Sequence, residues 1–119
     1  MATRTYRAQG SGYYLDKSAL EGGFKDRRGN NLNTLQDYLA NKAAYVSVAM
    51  DPHLAIAYGT VVKIPEIDAD RGRAIESRVV DTGGAFKGKG FTRIDICTAD
   101  RHESLDSTIN GVLTLIFGD

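Results

Sequence analysis

Val79-Val80-Asp81-Thr82-Gly83-Gly84-Ala85-Phe86-Lys87-Gly88 joins an apolar run to a glycine-rich turn. Ala74 to Val80 has the β-branched content of a strand. The paired glycines permit positive φ or a close backbone approach where that strand ends. Further strand candidates lie on either side. Tyr45 to Met50 alternates, with Val46, Val48 and Met50 on one face and Ser47 and Ala49 on the other. Gly59 to Pro65 reads as a strand ended by proline. Arg93 to Cys97 and Val112 to Phe117 are two more, and Tyr13-Tyr14-Leu15 is an aromatic strand candidate between Gly12 and Gly22. Short strands at regular spacing with glycine-rich turns predict a small barrel or sandwich. One helix is expected: Asn33 caps it, Gln36 completes a capping-box pattern, and Leu35, Tyr38 and Leu39 share a face up to about Asn41.

Composition bounds the function. A chain of 119 residues is read as one domain, 1–119, long enough to bury a core without a disulfide or metal staple. Fifteen basic residues face fifteen acidic ones, which argues against a nucleic-acid binder working by phosphate neutralisation. No apolar run is long enough to span a membrane. Cys97 is the single cysteine, so no internal disulfide forms, and its place in a strand makes it a core residue. With only His53 and His102 besides, no metal or cofactor is expected. The opening Met-Ala-Thr-Arg-Thr-Tyr-Arg lacks the apolar stretch of a signal peptide.

Three aspartates stand where strands end or are interrupted. Asp51 follows Met50 directly, Asp81 opens the Asp-Thr-Gly-Gly turn, and Asp95 lies within Arg93-Ile94-Asp95-Ile96-Cys97. Ile94 and Ile96 take the face opposite Asp95, so an inward apolar face directs Asp95 toward a surface or cleft. A carboxyl on rigid strand backbone is suited to general acid–base work, and neighbouring carboxylates push its pKa up. Asp81 reads equally as an Asx-turn residue that binds the amides after it. Val79-Val80-Asp81-Thr82-Gly83 also spells the signature of an aspartic protease. Only 38 residues follow Asp81, too few for the flap and late glycine segment such a protease needs.

Asp51-Pro52, Tyr58-Gly59-Thr60-Val61-Val62-Lys63-Ile64-Pro65, Asp81 to Gly88 and Arg93-Ile94-Asp95, in this order, resemble the three-aspartate (3D) domain over about residues 45–97. Phe86 stands where that family has Ile, a short insertion falls around Lys89 to Thr92, and residues 13–41 lie outside the match. The resemblance implies an all-β fold, a six-stranded double-psi β-barrel with one short helix, related to the barrels of lytic transglycosylase A, expansins and family 45 endoglucanases. It implies cleavage of a β-1,4-linked glycan, peptidoglycan first, by lytic transglycosylation. Asp95 would be the acid and base, Asp81 would hold and tune the site, and Asp51 would be the first of the three; all should converge at one end of a groove. Substrate contacts are expected from Thr82, Gly83, Gly84 and Lys87 of the turn and from Tyr14 and Tyr58. The alternatives are an endoglucanase using two aspartates and an expansin-like barrel that binds polysaccharide without turnover. A monomer acting outside the cytoplasm is implied, any leader being absent from this chain.

Overall fold

The computed structural model describes residues 4–14, 26, 28–51, 53, 56–82, 88 and 90–118. Six strands, β1 (Arg4–Tyr14), β2 (Val46–Met50), β3 (Thr60–Lys63), β4 (Ser77–Thr82), β5 (Arg93–Thr98) and β6 (Val112–Phe117), close into a barrel in the order β1-β5-β2-β4-β3-β6. The pairs β1/β5 and β2/β4 are parallel, and the other four are antiparallel. Closure leaves no edge strand in the barrel.

The core is filled by the inward set of each strand. Val46, Val48 and Met50 meet Val62, Val79, Ile94, Ile96, Leu113, Leu115 and Phe117 there. The opposite positions of β2 are buried too, because the chain ahead of the first helix runs over them. Ser47 donates its amide to the Asn33 carbonyl at 2.9 Å and accepts from the Asn33 amide on its hydroxyl at 2.8 Å.

β1 begins at Arg4, nine residues before the expected Tyr13-Tyr14-Leu15 segment, of which Leu15 lies outside the described residues. Small residues take the place of a hydrophobic stripe at Ala8, Gly10 and Gly12. A Cβ on Gly10 would lie 2.2 Å from the Ile109 carbonyl oxygen and 2.5 Å from a Leu113 methyl. On Gly12 it would lie 2.5 Å from the Ser104 carbonyl oxygen. The absence of side chains lets the 104–109 backbone lie directly on the strand.

Three short helices are present among the described residues, where one was expected. α1 (Leu35–Leu39) is capped by Thr34, whose hydroxyl accepts from the Asp37 amide at 3.0 Å, and not by Asn33. The Asn33 backbone amide and carbonyl are paired with Ser47, one residue ahead of the cap. Gln36 makes no capping box: its amide oxygen accepts from the Ala99 amide at 2.7 Å and its nitrogen donates to Glu103 at 3.1 Å. α2 (Pro65–Arg71) begins on the proline that ends the β3 run, a first-turn position with no amide to lose, and stops at Gly72 in the left-handed conformation. Glu66 docks it on β6 by accepting the amide and hydroxyl of Thr114 at 2.9 and 2.7 Å. α3 (Arg101–Ser104) is capped by Asp100.

The turn ahead of β5 packs a ring against the core. Within a 3-10 turn at Gly90–Thr92, Phe91 stacks on Tyr6 at 3.9 Å between ring centres, and both rings meet Phe117 edge-on. No helix among the described residues is long and apolar enough to cross a membrane.

The fit at Gly12 is backbone against backbone, so it cannot be relieved by a rotamer change. Gly12→Ala should lower stability by about 1–3 kcal/mol, the usual cost of overpacking. Thermal or urea unfolding reads this, and a melting temperature equal to that of the parent would contradict the close approach.

Candidate active site

The site is organised by register. β4 pairs with β2 as Val79 with Val48, and then, past an irregularity, as Asp81 with Ala49. One residue, Val80, is therefore extra on β4, which is the two-against-one count of a β-bulge. Val79 belongs to the core, and strict alternation would send Asp81 the same way. The bulge gives Asp81 the face of Ala49 instead. Ala49 is also the partner of Asp95 on β5, and Asp95 is the partner of Ser11 on β1. Ser11, Asp95, Ala49 and Asp81 thus form one row across four neighbouring strands. At the ordinary strand spacing the Asp81 and Asp95 backbones are about 10 Å apart, with only an alanine between them.

Asp95 is half-buried, as is Asp81. The Ser11 hydroxyl donates to Oδ1 of Asp95, and Arg93 reaches the same hydroxyl at 3.5 Å. Burial pushes the Asp95 carboxyl above its usual range, while the Ser11 hydrogen bond and the Arg93 charge pull against it. The upward push thus comes from desolvation, where like-charge repulsion was expected to share it.

Asp51 is differently placed. It is buried at the end of β2. Its Oδ1 accepts from the His53 amide and its Oδ2 from the Gly90 amide, each at 2.8 Å. These bonds, with a further one from the Gly88 amide, hold its carboxyl below the usual range despite burial. Asp51 ties the end of β2 to the chain entering β5, two residues along its strand from Ala49. Among the three aspartates, the row contains two, and the third braces its end.

The other expected contacts divide. Thr82 ends β4 opposite Met50. Gly83, Gly84 and Lys87 lie outside the described residues. Tyr14 is exposed and pairs with Thr98, which by the pleat turns it away from the face of Ser11. The Tyr58 hydroxyl donates to Oδ2 of Asp26 and accepts from Asn30 at 2.9 Å, with the Arg28 guanidinium 4.4 Å above its ring. Asp26 itself is buried and accepts the amides of Arg28 and Asn30. Tyr58 therefore fastens the 26–30 turn to the chain before β3. Cys97 is fully buried, and burial pushes its thiol up to about 12. Two residues, Ser11 of the row and Asp26 beneath Tyr58, carry no signal in the sequence. Ser11 sits in Gly10-Ser11-Gly12, which looks like a loop, and Asp26 precedes a turn with no apolar neighbour to mark it as buried.

Among the described residues no three His, Cys, Asp or Glu side chains gather as a metal-holding group. Compared with family models and with curated proteins, the sequence matches none.

The depressed carboxyl of Asp51 gives stability that is present above the unfolded carboxylate range and lost as the pH falls through its folded-state value. Asp51→Asn should melt lower than the parent at neutral pH, and the gap should narrow below about pH 4. A gap independent of pH would show that the charge of Asp51 is not what braces the end of β2.

Proposed function

We propose that the chain is a three-aspartate-type barrel of double-psi topology that cleaves β-1,4-linked glycan, with peptidoglycan as substrate, by lytic transglycosylation. The observation that carries the reading is Asp95: a half-buried carboxyl on rigid strand backbone, raised by burial, held by Ser11 and in one row with Asp81. The interlaced strand order with its two parallel pairs supports the barrel type. The ordered resemblance of four sequence blocks supports the family and the substrate. A peptidoglycan substrate puts the site of action in the cell wall, outside the cytoplasm.

In this mechanism the neutral Asp95 gives its proton to the glycosidic oxygen between N-acetylmuramic acid and N-acetylglucosamine. The bond from C1 to that oxygen breaks, leaving an oxocarbenium-like sugar. The C6 hydroxyl of the same sugar attacks C1, and its proton passes to the Asp95 carboxylate. The product is a 1,6-anhydro ring, and the acid is restored. Ser11 serves both states, because a hydroxyl donates to the carboxylate and accepts from the acid. Asp81 presents a second carboxyl to the face where positive charge develops.

Digestion of purified peptidoglycan, read by mass spectrometry, should yield anhydro-muropeptides. Hydrated reducing ends would replace the transglycosylase with a hydrolase, and glycan bound but uncut would replace both with an expansin-like binding barrel. Asp95→Asn keeps the shape and cannot move the proton, so turnover should fall by about 10²–10⁴-fold with melting unchanged. Near-parental cleavage by that variant would sink the assignment of Asp95.

The pH dependence has a defined sign. The working acid is the protonated form, so activity is lost as pH rises through the Asp95 pKa. Ser11→Ala removes a bond that lowers this pKa, and should move the alkaline limb of the rate profile upward. A limb that stays in place would mean that the Ser11 contact does not bear on the acid.

A further inference from the structure

β1 brings one more group to this face. Tyr13 is the register partner of Cys97 as Ser11 is of Asp95, so its side chain leaves the same face of β1 about 7 Å further along. Its hydroxyl oxygen is enclosed, and no oxygen or nitrogen of a described residue partners it; its close polar neighbour is the Cys97 thiol, a weak acceptor. A buried tyrosine hydroxyl ordinarily finds a partner, and one left without costs stability. Such an orphan in a native fold calls for a reason.

Its surroundings supply one. The hydroxyl lies beside the Cys97 thiol of β5 and within electrostatic reach of two carboxyls, Asp81 of β4 and Asp95 of β5. The thiol is itself held neutral by burial, with Asp81 and Asp37 of α1 acting on it in the same direction. Asp95 is faced in addition by Ser11 and Arg93. Burial and these neighbours push the Tyr13 hydroxyl far above its usual range, so it keeps its proton. A neutral donor held only by a weak sulfur contact therefore stands on the same face as a pair of carboxyls and within their electrostatic reach, and one of them changes charge during the proposed reaction.

We propose that Tyr13 is a positioning residue for the carboxyl row, its hydroxyl left with no oxygen or nitrogen partner in the resting protein so that it donates to the row once Asp95 is ionised. The timing of that ionisation in catalysis rests on the glycan-cleaving reading, but the contact does not. Raising the pH creates the same carboxylate without substrate. Ser11 already engages Oδ1 of Asp95, so the new donor adds to a bond that exists in either state. Energy is then spent in the resting protein and recovered where charge appears, which is differential stabilisation of the reacting state.

The test uses the whole chain and Tyr13→Phe. Carboxyl carbon NMR should place the Asp95 midpoint higher in the variant than in the parent, by about half a pH unit or more, because a donor to the charged form has been removed. The melting temperature should hold or rise, since the orphan hydroxyl goes with it. On peptidoglycan, kcat should fall with KM unchanged, and the alkaline limb should move with the NMR midpoint. Midpoints of Asp81 and Asp95 unmoved by the variant would overturn the inference. In the unmodified protein, the Cζ resonance of Tyr13 should shift with the Asp95 midpoint; this reading needs no variant to fold, and a resonance blind to that titration overturns the inference equally. Coupling seen in a protein that cuts no glycan would keep the Tyr13 contact and end the transglycosylase reading. Cleavage without coupling would do the reverse.

Discussion

The extra residue on β4 settles where a charge goes. Between Val79 and Asp81 the ladder to β2 advances by one step while the chain advances by two. Had it kept pace, Asp81 would have followed Val79 into an apolar barrel, where an unpaired carboxylate costs several kcal/mol. Val80 absorbs the difference, itself fully buried. The same irregularity that keeps the core free of charge sets Asp81 level with Ala49, and thereby with Asp95 and Ser11. Core composition and site geometry are two outcomes of one backbone adjustment.

This explains which parts of the molecule could be read in advance. The runs at β2, β3, β4, β5 and β6 were legible because each carries a stripe of branched or aromatic residues. β1 was not, because it packs by small residues. Gly10 and Gly12 admit backbone where other strands insert side chains, and no hydropathy pattern records that. α2 and α3 are too short to show a period. They are fixed by Pro65, Gly72 and Asp100 at their ends and by Glu66 bonding to Thr114 across the chain. The shift of the α1 cap from Asn33 to Thr34 has the same origin. The Asn33 backbone is paired with Ser47, a residue remote in sequence, which holds Asn33 ahead of the helix.

The site divides along similar lines. The outward direction of Asp95 follows from Ile94 and Ile96, and the alternation that revealed it holds. The face of Asp81 could not be read, since a bulge is invisible in a string of letters. Asp51 and Tyr58 were singled out for residue type and place. In each, the polar atoms are spent on holding chain to chain: Asp51 on the amides of His53 and Gly90, Tyr58 on Asp26. The proximity that makes Ser11 part of the row is a property of strand pairing across 84 residues of sequence, which local reading does not reach.

The place of β1 in the barrel orders events during synthesis. Among the described strands it leaves the ribosome ahead of the others, and its partners there are β5 and β6, the last two. It cannot pair in the barrel until β5 and β6 exist, and closing so long a loop slows folding. A strand obliged to wait with bare amides and carbonyls invites pairing with other chains. Arg4-Thr5-Tyr6-Arg7-Ala8-Gln9-Gly10-Ser11-Gly12 is suited to that interval: two arginines, two glycines and no run of branched apolar residues keep it a poor template for aggregation. The composition that hid this strand from sequence reading is the composition that keeps it soluble until its neighbours arrive.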